Sequence, residues 1–152
     1  ADDAALWISI YFAGITIGRF INGFVSLNFS SPTLIRAGQI TTLAGALLLL
    51  PPLPAGFSLA GFLITGLGLA PIFPSMLHET PARFGEAHAG RIMGYQIATA
   101  YTGAAILPPL LGMPAGYWTI GIFPLYIVLM EAAMLLATER LNLLLRRRHD
   151  AV

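Results

Sequence analysis

The sequence contains no cysteine and no lysine, and it carries few charges of either sign. Of its 152 residues only 10% are charged, whereas 57% are hydrophobic and the mean hydropathy is +0.77. A soluble globular domain would carry about 25% charged residues. Without cysteine there is neither a disulfide framework nor a thiolate metal site, and three scattered histidines leave little for a histidine-based site. The net charge of +1 is too small and too dispersed for a nucleic-acid interface. We therefore expect no metal, no cofactor and no nucleic-acid partner.

Long apolar runs are what the chain has in abundance. A helix needs about 20 apolar residues to cross the hydrocarbon core of a bilayer. The sequence predicts an all-α, polytopic membrane bundle of five transmembrane helices, at residues 4–25, 33–53, 55–77, 92–111 and 117–137. The second is the weakest, because Arg36 lies in its first turn. Residues 112–116 are predicted to separate the last two.

The arginines predict the orientation of this bundle. They flank the first and third connections, at Arg19, Arg36, Arg83 and Arg91, and they recur in the tail at residues 140–148. The amino terminus and the other two connections contain none. Because basic residues are retained on the cytoplasmic side, we expect a multi-pass protein of the plasma or inner membrane. Its amino terminus is predicted to lie outside and its carboxyl terminus in the cytoplasm.

The fourth predicted helix has a polar face beside a strip of small residues. Tyr95, Gln96 and Thr99 lie within one arc, next to small residues that recur every fourth position from Gly90 to Thr102. These polar groups either satisfy one another between helices, worth under about 2 kcal/mol each, or line an aqueous path and bind a solute. Gln96 favours the second interpretation, because helix packing does not need its amide.

The third predicted helix is rich in glycine and proline near its end. Pro71 and Pro74 are predicted to break it, because each lacks an N–H and displaces the carbonyl four residues back. In transporters such broken helices often mark the binding region, and Thr65 lies on a face that would extend such a site outward. A purely structural bend is the alternative interpretation.

Glu131 is the one acidic residue inside a predicted span. An unpaired carboxylate is costly in hydrocarbon, so either pairing or protonation is expected. A structural ion pair or a carboxylate reaching the membrane surface is one interpretation. A proton-coupling role is the other.

Two regions of the chain, one around the first connection and one between residues 66 and 96, resemble the major facilitator superfamily of transporters. The first connection and its flanks are similar to the second-to-third or eighth-to-ninth helix junction, where a gating or structural motif is carried here by Gly18, Arg19, Gly23 and Arg36. Residues 66–74, 78–85 and 94–96 resemble helices ten and eleven of the branch that includes the fucose permease. The motif departs from the family's pattern at Leu27, where an acidic residue is normal, which puts the family's cytoplasmic charge network in doubt.

The resemblance implies a partial carboxyl-terminal half, comprising helices eight to twelve and covering nearly the whole chain. Internal symmetry of the superfamily leaves helices two to six as the alternative, although the short basic ending favours the first assignment. In the family the substrate cavity lies between two six-helix halves. The partners implied are therefore a small-molecule solute, the lipid bilayer and a missing amino-terminal half.

Two functions of different classes remain open. The first is a secondary transporter of a small polar solute such as a sugar, coupled to protons, of which this chain is a fragment. The second is a non-transporting, five-span module that packs against other helices through Gly14, Gly18, Gly94 and Ala98. An enzyme is not expected, because no nucleophile, base and acid recur at a usable spacing.

Overall fold

The computed structural model describes residues 2–52, 54–115 and 122–149, and over these ranges the chain is entirely α-helical apart from its connections. The five helices are α1 Asp2–Val25, α2 Ser31–Leu48, α3 Ala55–Phe84, α4 Glu86–Ala115 and α5 Ile122–His149. Each helix contains most of one predicted apolar segment. The all-α prediction is confirmed for the described residues.

Two of these helices are long and apolar enough to cross a membrane. They are Ala5–Val25 and Ala55–Phe84. Large apolar side chains stand exposed along α1, among them Phe20 at 71% and Phe24 at 61%. Contiguous exposed apolar surface of this kind marks a protein or membrane contact. Among the described residues two membrane-crossing helices are supported, and the five-span topology stays a prediction.

The predicted break in the third helix is wrong. α3 continues through Pro71, Pro74 and Pro81 and ends only at Phe84, before Gly85. Each interior proline costs roughly 3 kcal/mol in a helix, but packing offsets this cost, because residues between and after the prolines are buried, including Ile72 at 4% and Thr80 at 1%. Gly85 ends the helix with a φ of 81°, a conformation that favours glycine.

Other helix ends also differ from the predicted ones. α2 stops at Leu48, earlier than predicted, because residues before the prolines at 51 and 52 avoid the helical region. α4 starts six residues before the predicted boundary, at Glu86, and stays helical through most of residues 112–116. α5 extends past residue 137 to His149. The predicted start of the last span, residues 117–121, lies outside the described residues.

α3 is the central helix of the bundle, in contact with α1, α2 and α4, while α5 packs against α2. The α1 contact is made by glycines. A Cβ on Gly14 would lie 2.5 Å from the carbonyl oxygen of Leu63, and one on Gly18 would lie 2.6 Å from the Cβ of Ala70. The backbones therefore approach closely at this glycine pair, as its spacing predicts.

α2 meets a second glycine face of α3. A Cβ on Gly38 would lie 2.7 Å from the carbonyl oxygen of Gly68, and one on Gly45 would lie 2.6 Å from the backbone nitrogen of Thr65. α2 contributes several of the most deeply buried side chains among the described residues, with Ile35, Gln39 and Thr42 all at 2% exposure or less. Two of these three side chains are polar: Thr42 donates its hydroxyl to the carbonyl oxygen of Gly38 within α2, and Gln39 donates to Thr138 of α5.

Candidate functional site

The polar face of α4 is only partly used in helix packing. The Thr80 hydroxyl on α3 lies 2.9 Å from the carbonyl oxygen of Met76 and 3.0 Å from Oε1 of Gln96, and donates toward both. Gln96 is half-buried by this contact, whereas Tyr95 is 66% exposed and Thr99 is also exposed. The side-chain carbonyl of Gln96 therefore takes part in a hydrogen bond between helices, as the packing interpretation predicts. Tyr95 and Thr99 do not take part in this contact and are exposed.

Beyond Gln96, α4 is uncovered by the rest of the described chain. From Ile97 to Leu110 every residue except Gly103 is exposed. Nothing lies within 4 Å of a Cβ built on Gly90 or Gly94. The strip of small residues and the polar face beside it therefore form a free surface within the described part of the protein.

Thr65 does not join this face. It is 2% exposed, packs beside Gly45 of α2, and donates its hydroxyl to the carbonyl oxygen of Gly61 at 2.8 Å. It lies 15 positions before Thr80 on the same helix, about 22 Å along the axis. Thr65 and Gln96 therefore lie at different depths of the bundle. Thr65 belongs to the α2–α3 contact and Gln96 to the α3–α4 contact.

Pro71 lies in a groove of about 230 Å³ between α1, α2 and α3. Gly18 also lines this groove, so the structure brings together one proline and one glycine that the sequence predicts for separate roles. Pro74, one turn further along α3, is exposed and is not among the groove residues. The two prolines therefore do not share one site.

Asn22 is a groove residue that sequence reasoning missed. It lines the groove, and its side-chain Oδ1 is buried without a hydrogen-bond partner in the described structure. The available signal was the one side-chain amide of a mainly apolar helix, three residues after Arg19. Polar groups at such a position are expensive and are usually functional.

The four residues of the proposed gating motif do not act as one cluster. Gly18 is packed against α3, and a Cβ built on Gly23 would have nothing within 4 Å. Arg19 is exposed. The Nε of Arg36 lies 3.1 Å from Oε1 of Glu139 on α5, in a pair whose side chains are 65% and 33% exposed. Arg36 therefore connects α2 to α5.

A buried hydrogen bond supports the same α2–α5 contact. Nε2 of Gln39, which is 1% exposed, donates to the hydroxyl oxygen of Thr138 at 2.9 Å. The Thr138 hydroxyl in turn donates to the carbonyl oxygen of Met134 at 2.9 Å. This contact cannot be predicted from the sequence, because the two residues are separated by 99 positions.

We expect Thr138→Val to lower the free energy of unfolding by about 1 kcal/mol, since it leaves the buried amide of Gln39 without its acceptor. Glu139→Gln on the same helix should cost less than about 1 kcal/mol, because its ion pair is largely exposed. Thermal unfolding of both variants in the same detergent measures the difference. An equal or larger loss for Glu139→Gln would contradict this ranking.

Glu131 is buried on α5 without the predicted ion pair. It is 5% exposed, so its carboxylate does not reach the surface, and its Oε1 has no hydrogen-bond partner in the described structure. The ion pairs formed by the described residues are Arg36–Glu139 and Arg83–Glu79. Among the described residues Glu131 therefore has neither an ion-pair partner nor an exposed carboxylate, and both interpretations of this residue stay predictions.

No three histidine or acidic side chains come together in the described residues in a way that could hold a metal ion. The polar groups that are present are hydroxyls, amides and one buried carboxyl. They can exchange hydrogen bonds with a solute and carry a proton.

In comparisons with protein-family models, curated proteins and solved structures, nothing matches this chain. The resemblance to the major facilitator superfamily therefore stays a prediction from the quoted residues.

Proposed function

We propose that the chain is the carboxyl-terminal part of a proton-coupled secondary transporter of the major facilitator type, with a small polar solute such as a sugar as its substrate. Its five helices would all cross the membrane, with the amino terminus outside and the carboxyl terminus in the cytoplasm. The support is the one-sided arginine placement, two helices that could cross a membrane and the exposed apolar surface of α1. A second half of the transporter would complete the cavity.

The observation that carries the proposal is the uncovered polar face of α4. Tyr95 and Thr99 are exposed next to Gln96, on a helix whose residues from Ile97 to Leu110 are exposed except for Gly103. Aromatic, hydroxyl and amide groups on one helix face suit the hydroxyl-rich surface of a sugar, because each can donate or accept a hydrogen bond. In the proposal this face is one wall of the solute path.

A second candidate, the non-transporting packing module, is favoured by the small strip on the same helix. Gly90 and Gly94 have open space around them, which would let another helix approach closely. Gly14 and Gly18 no longer serve this candidate, because both are already packed against α3. The module would therefore associate through α4 alone.

Gln96→Ala and Thr80→Val distinguish the two candidates. Both remove the hydrogen bond between α3 and α4, but only Gln96→Ala removes the amide from the α4 face. In the full-length protein reconstituted in vesicles, we expect Gln96→Ala to reduce labelled-sugar uptake by about tenfold or more, as loss of a buried recognition hydrogen bond would. Thr80→Val should retain most of the uptake.

If the two variants insert equally into the membrane and take up the sugar equally, Gln96 serves only in helix packing. This result would favour the non-transporting packing module. Gly94→Leu provides the complementary measurement. It should weaken association with partner helices in a crosslinking assay if the strip is an assembly surface.

A further inference from the structure

The contact between α2 and α5 extends beyond its buried hydrogen bond. Gln39 of α2 donates to Thr138 of α5 at 2.9 Å. Residues seven positions apart lie on the same face of a helix, about 10 Å apart along its axis. Ala46 therefore shares the face of Gln39 on α2, and Glu131 shares the face of Thr138 on α5. Both are buried, Ala46 at 0% and Glu131 at 5% exposure.

The two helices run in opposite directions along this contact. The ion pair of Arg36 with Glu139, at 3.1 Å, precedes the hydrogen bond on α2 and follows it on α5. In this antiparallel order, a step toward the end of α2 is a step toward the start of α5. Seven residues beyond the hydrogen bond, the register therefore sets Glu131 against Ala46. This register defines the α2–α5 seam, which comprises Arg36, Gln39, Ala46, Glu131, Thr138 and Glu139.

The α2 side of the seam gives Glu131 no opposite charge. Residues 42–52, at the end of α2 and just after it, include no titratable side chain. Arg36, the one charged residue of α2, lies ten positions before Ala46, about 15 Å along the axis. Ala46 lies in the last turn of α2, which ends at Leu48, and the negative end of the helix dipole disfavours an ionised carboxyl there.

The α5 side of the seam supplies no partner either. The titratable side chain nearest to Glu131 in the sequence is Tyr126, whose hydroxyl is buried without a hydrogen-bond partner in the described structure. The next is Glu139, which is paired with Arg36. Because Oε1 of Glu131 also has no partner among the described residues, an ionised carboxyl costs more in the closed seam than a neutral one.

We propose that the α2–α5 seam closes over neutral Glu131 and opens when Glu131 releases its proton to water, which then solvates the carboxylate. The hydrogen bond and the ion pair hold the other end of the seam, so opening begins around Ala46. Gln96 of the solute face contacts α3 instead, so the proton acts on a different contact from the solute. As a regulation of the transporter the seam rests on the proposed function, but its opening requires only the fold.

A single cysteine measures this opening, because the chain has no cysteine of its own. Ala46→Cys in the full-length, otherwise cysteine-free protein is labelled with a maleimide in vesicles at equal pH on both sides. The labelling rate is divided by that of the same variant unfolded at the same pH, which removes the thiol's own pH dependence. From about pH 5 to about pH 10, the range over which glutamate side chains titrate in proteins, we expect this ratio to rise about tenfold or more. Opening that releases one proton is favoured about tenfold per pH unit.

Two acid substitutions and one second reporter are the controls. Added to Ala46→Cys, Glu131→Gln should make the ratio independent of pH, whereas Glu139→Gln should preserve the rise. Ala70→Cys reports on the contact of α1 with α3, where Ala70 is 3% exposed. Its labelling ratio should not change with pH.

A constant ratio at Ala46→Cys would overturn the proposal, and so would a rise that persists in folded Glu131→Gln. An equal rise at Ala70→Cys would mean that the whole bundle loosens, which also contradicts it. If Ala46→Cys does not fold, Ala132→Cys, partly buried beside Glu131 on α5, carries the same test. A seam that opens with pH in a protein that takes up no sugar would support this proposal and count against the transporter alone.

Discussion

Gly68→Ala is expected to push α2 away from α3 and to destabilise the bundle. A Cβ at this position would lie 2.5 Å from Oγ1 of Thr42 and 2.8 Å from the carbonyl oxygen of Gly38, and it would also meet the backbone nitrogen of Thr42. Because two of these three atoms belong to the α2 backbone, no side-chain rotation removes the conflict. Overpacking of this kind costs roughly 1–3 kcal/mol.

Gly56→Ala is the control, since it makes the same change on the same helix in open space. Gly56 is the second residue of α3, where alanine is favoured over glycine by less than the about 1 kcal/mol of a helix interior, so Gly56→Ala should leave the melting temperature unchanged or raise it slightly. Thermal unfolding in one detergent compares the two variants. Equal stability in both would mean that α2 and α3 do not approach at Gly68 as closely as described.

Glu131→Gln is expected to abolish proton-driven accumulation of the solute while solute exchange across the membrane continues. In the proposed transporter Glu131 carries the coupled proton, because the residue is 5% exposed and its Oε1 has no hydrogen-bond partner in the described residues. An amide of the same size cannot release a proton, so net coupled movement stops. Exchange of labelled for unlabelled solute needs no net proton movement and should persist.

Glu139→Gln provides the matched control on the same helix. Glu139 is one-third exposed and paired with Arg36, so its neutralisation should leave accumulation intact. Vesicles with an imposed pH gradient measure accumulation, and vesicles preloaded with solute measure exchange. Normal accumulation by Glu131→Gln would exclude Glu131 as the proton site. Loss of both activities in a folded variant would instead place Glu131 in the solute path.

Much of the fold could be predicted from the sequence, because a run of about 20 apolar residues is by itself enough to indicate a helix. The predicted segments coincide with five helices, and the Gly14–Gly18 spacing anticipated the close contact with α3. The predicted break in α3 was wrong for an equally clear reason. Local rules weigh the backbone cost of Pro71 and Pro74, whereas packing on several sides of the helix outweighs that cost.

The candidate site was less predictable, because it depends on which helix faces meet. Gln96 was identified from its own helix, but its partner Thr80 was not. Thr65 was predicted to extend the same site, but it is buried against Gly45 of α2. Asn22 and Gln39 were missed, since their surroundings are formed by other helices: Asn22 lines a groove with α2 and α3, and Gln39 bonds α5.

The sequence by itself determined that this protein is helical, strongly apolar and basic on alternate connections, because composition and spacing along one chain are sufficient for these properties. Only the tertiary structure decided that Gln39 meets Thr138, that Arg36 meets Glu139, and that Glu131 is buried without a partner in the described residues. The physical reason is that helical periodicity places a residue on a face of its own helix. The rotation and depth of one helix against another come from close contacts along whole faces, such as that between Gly38 and Gly68.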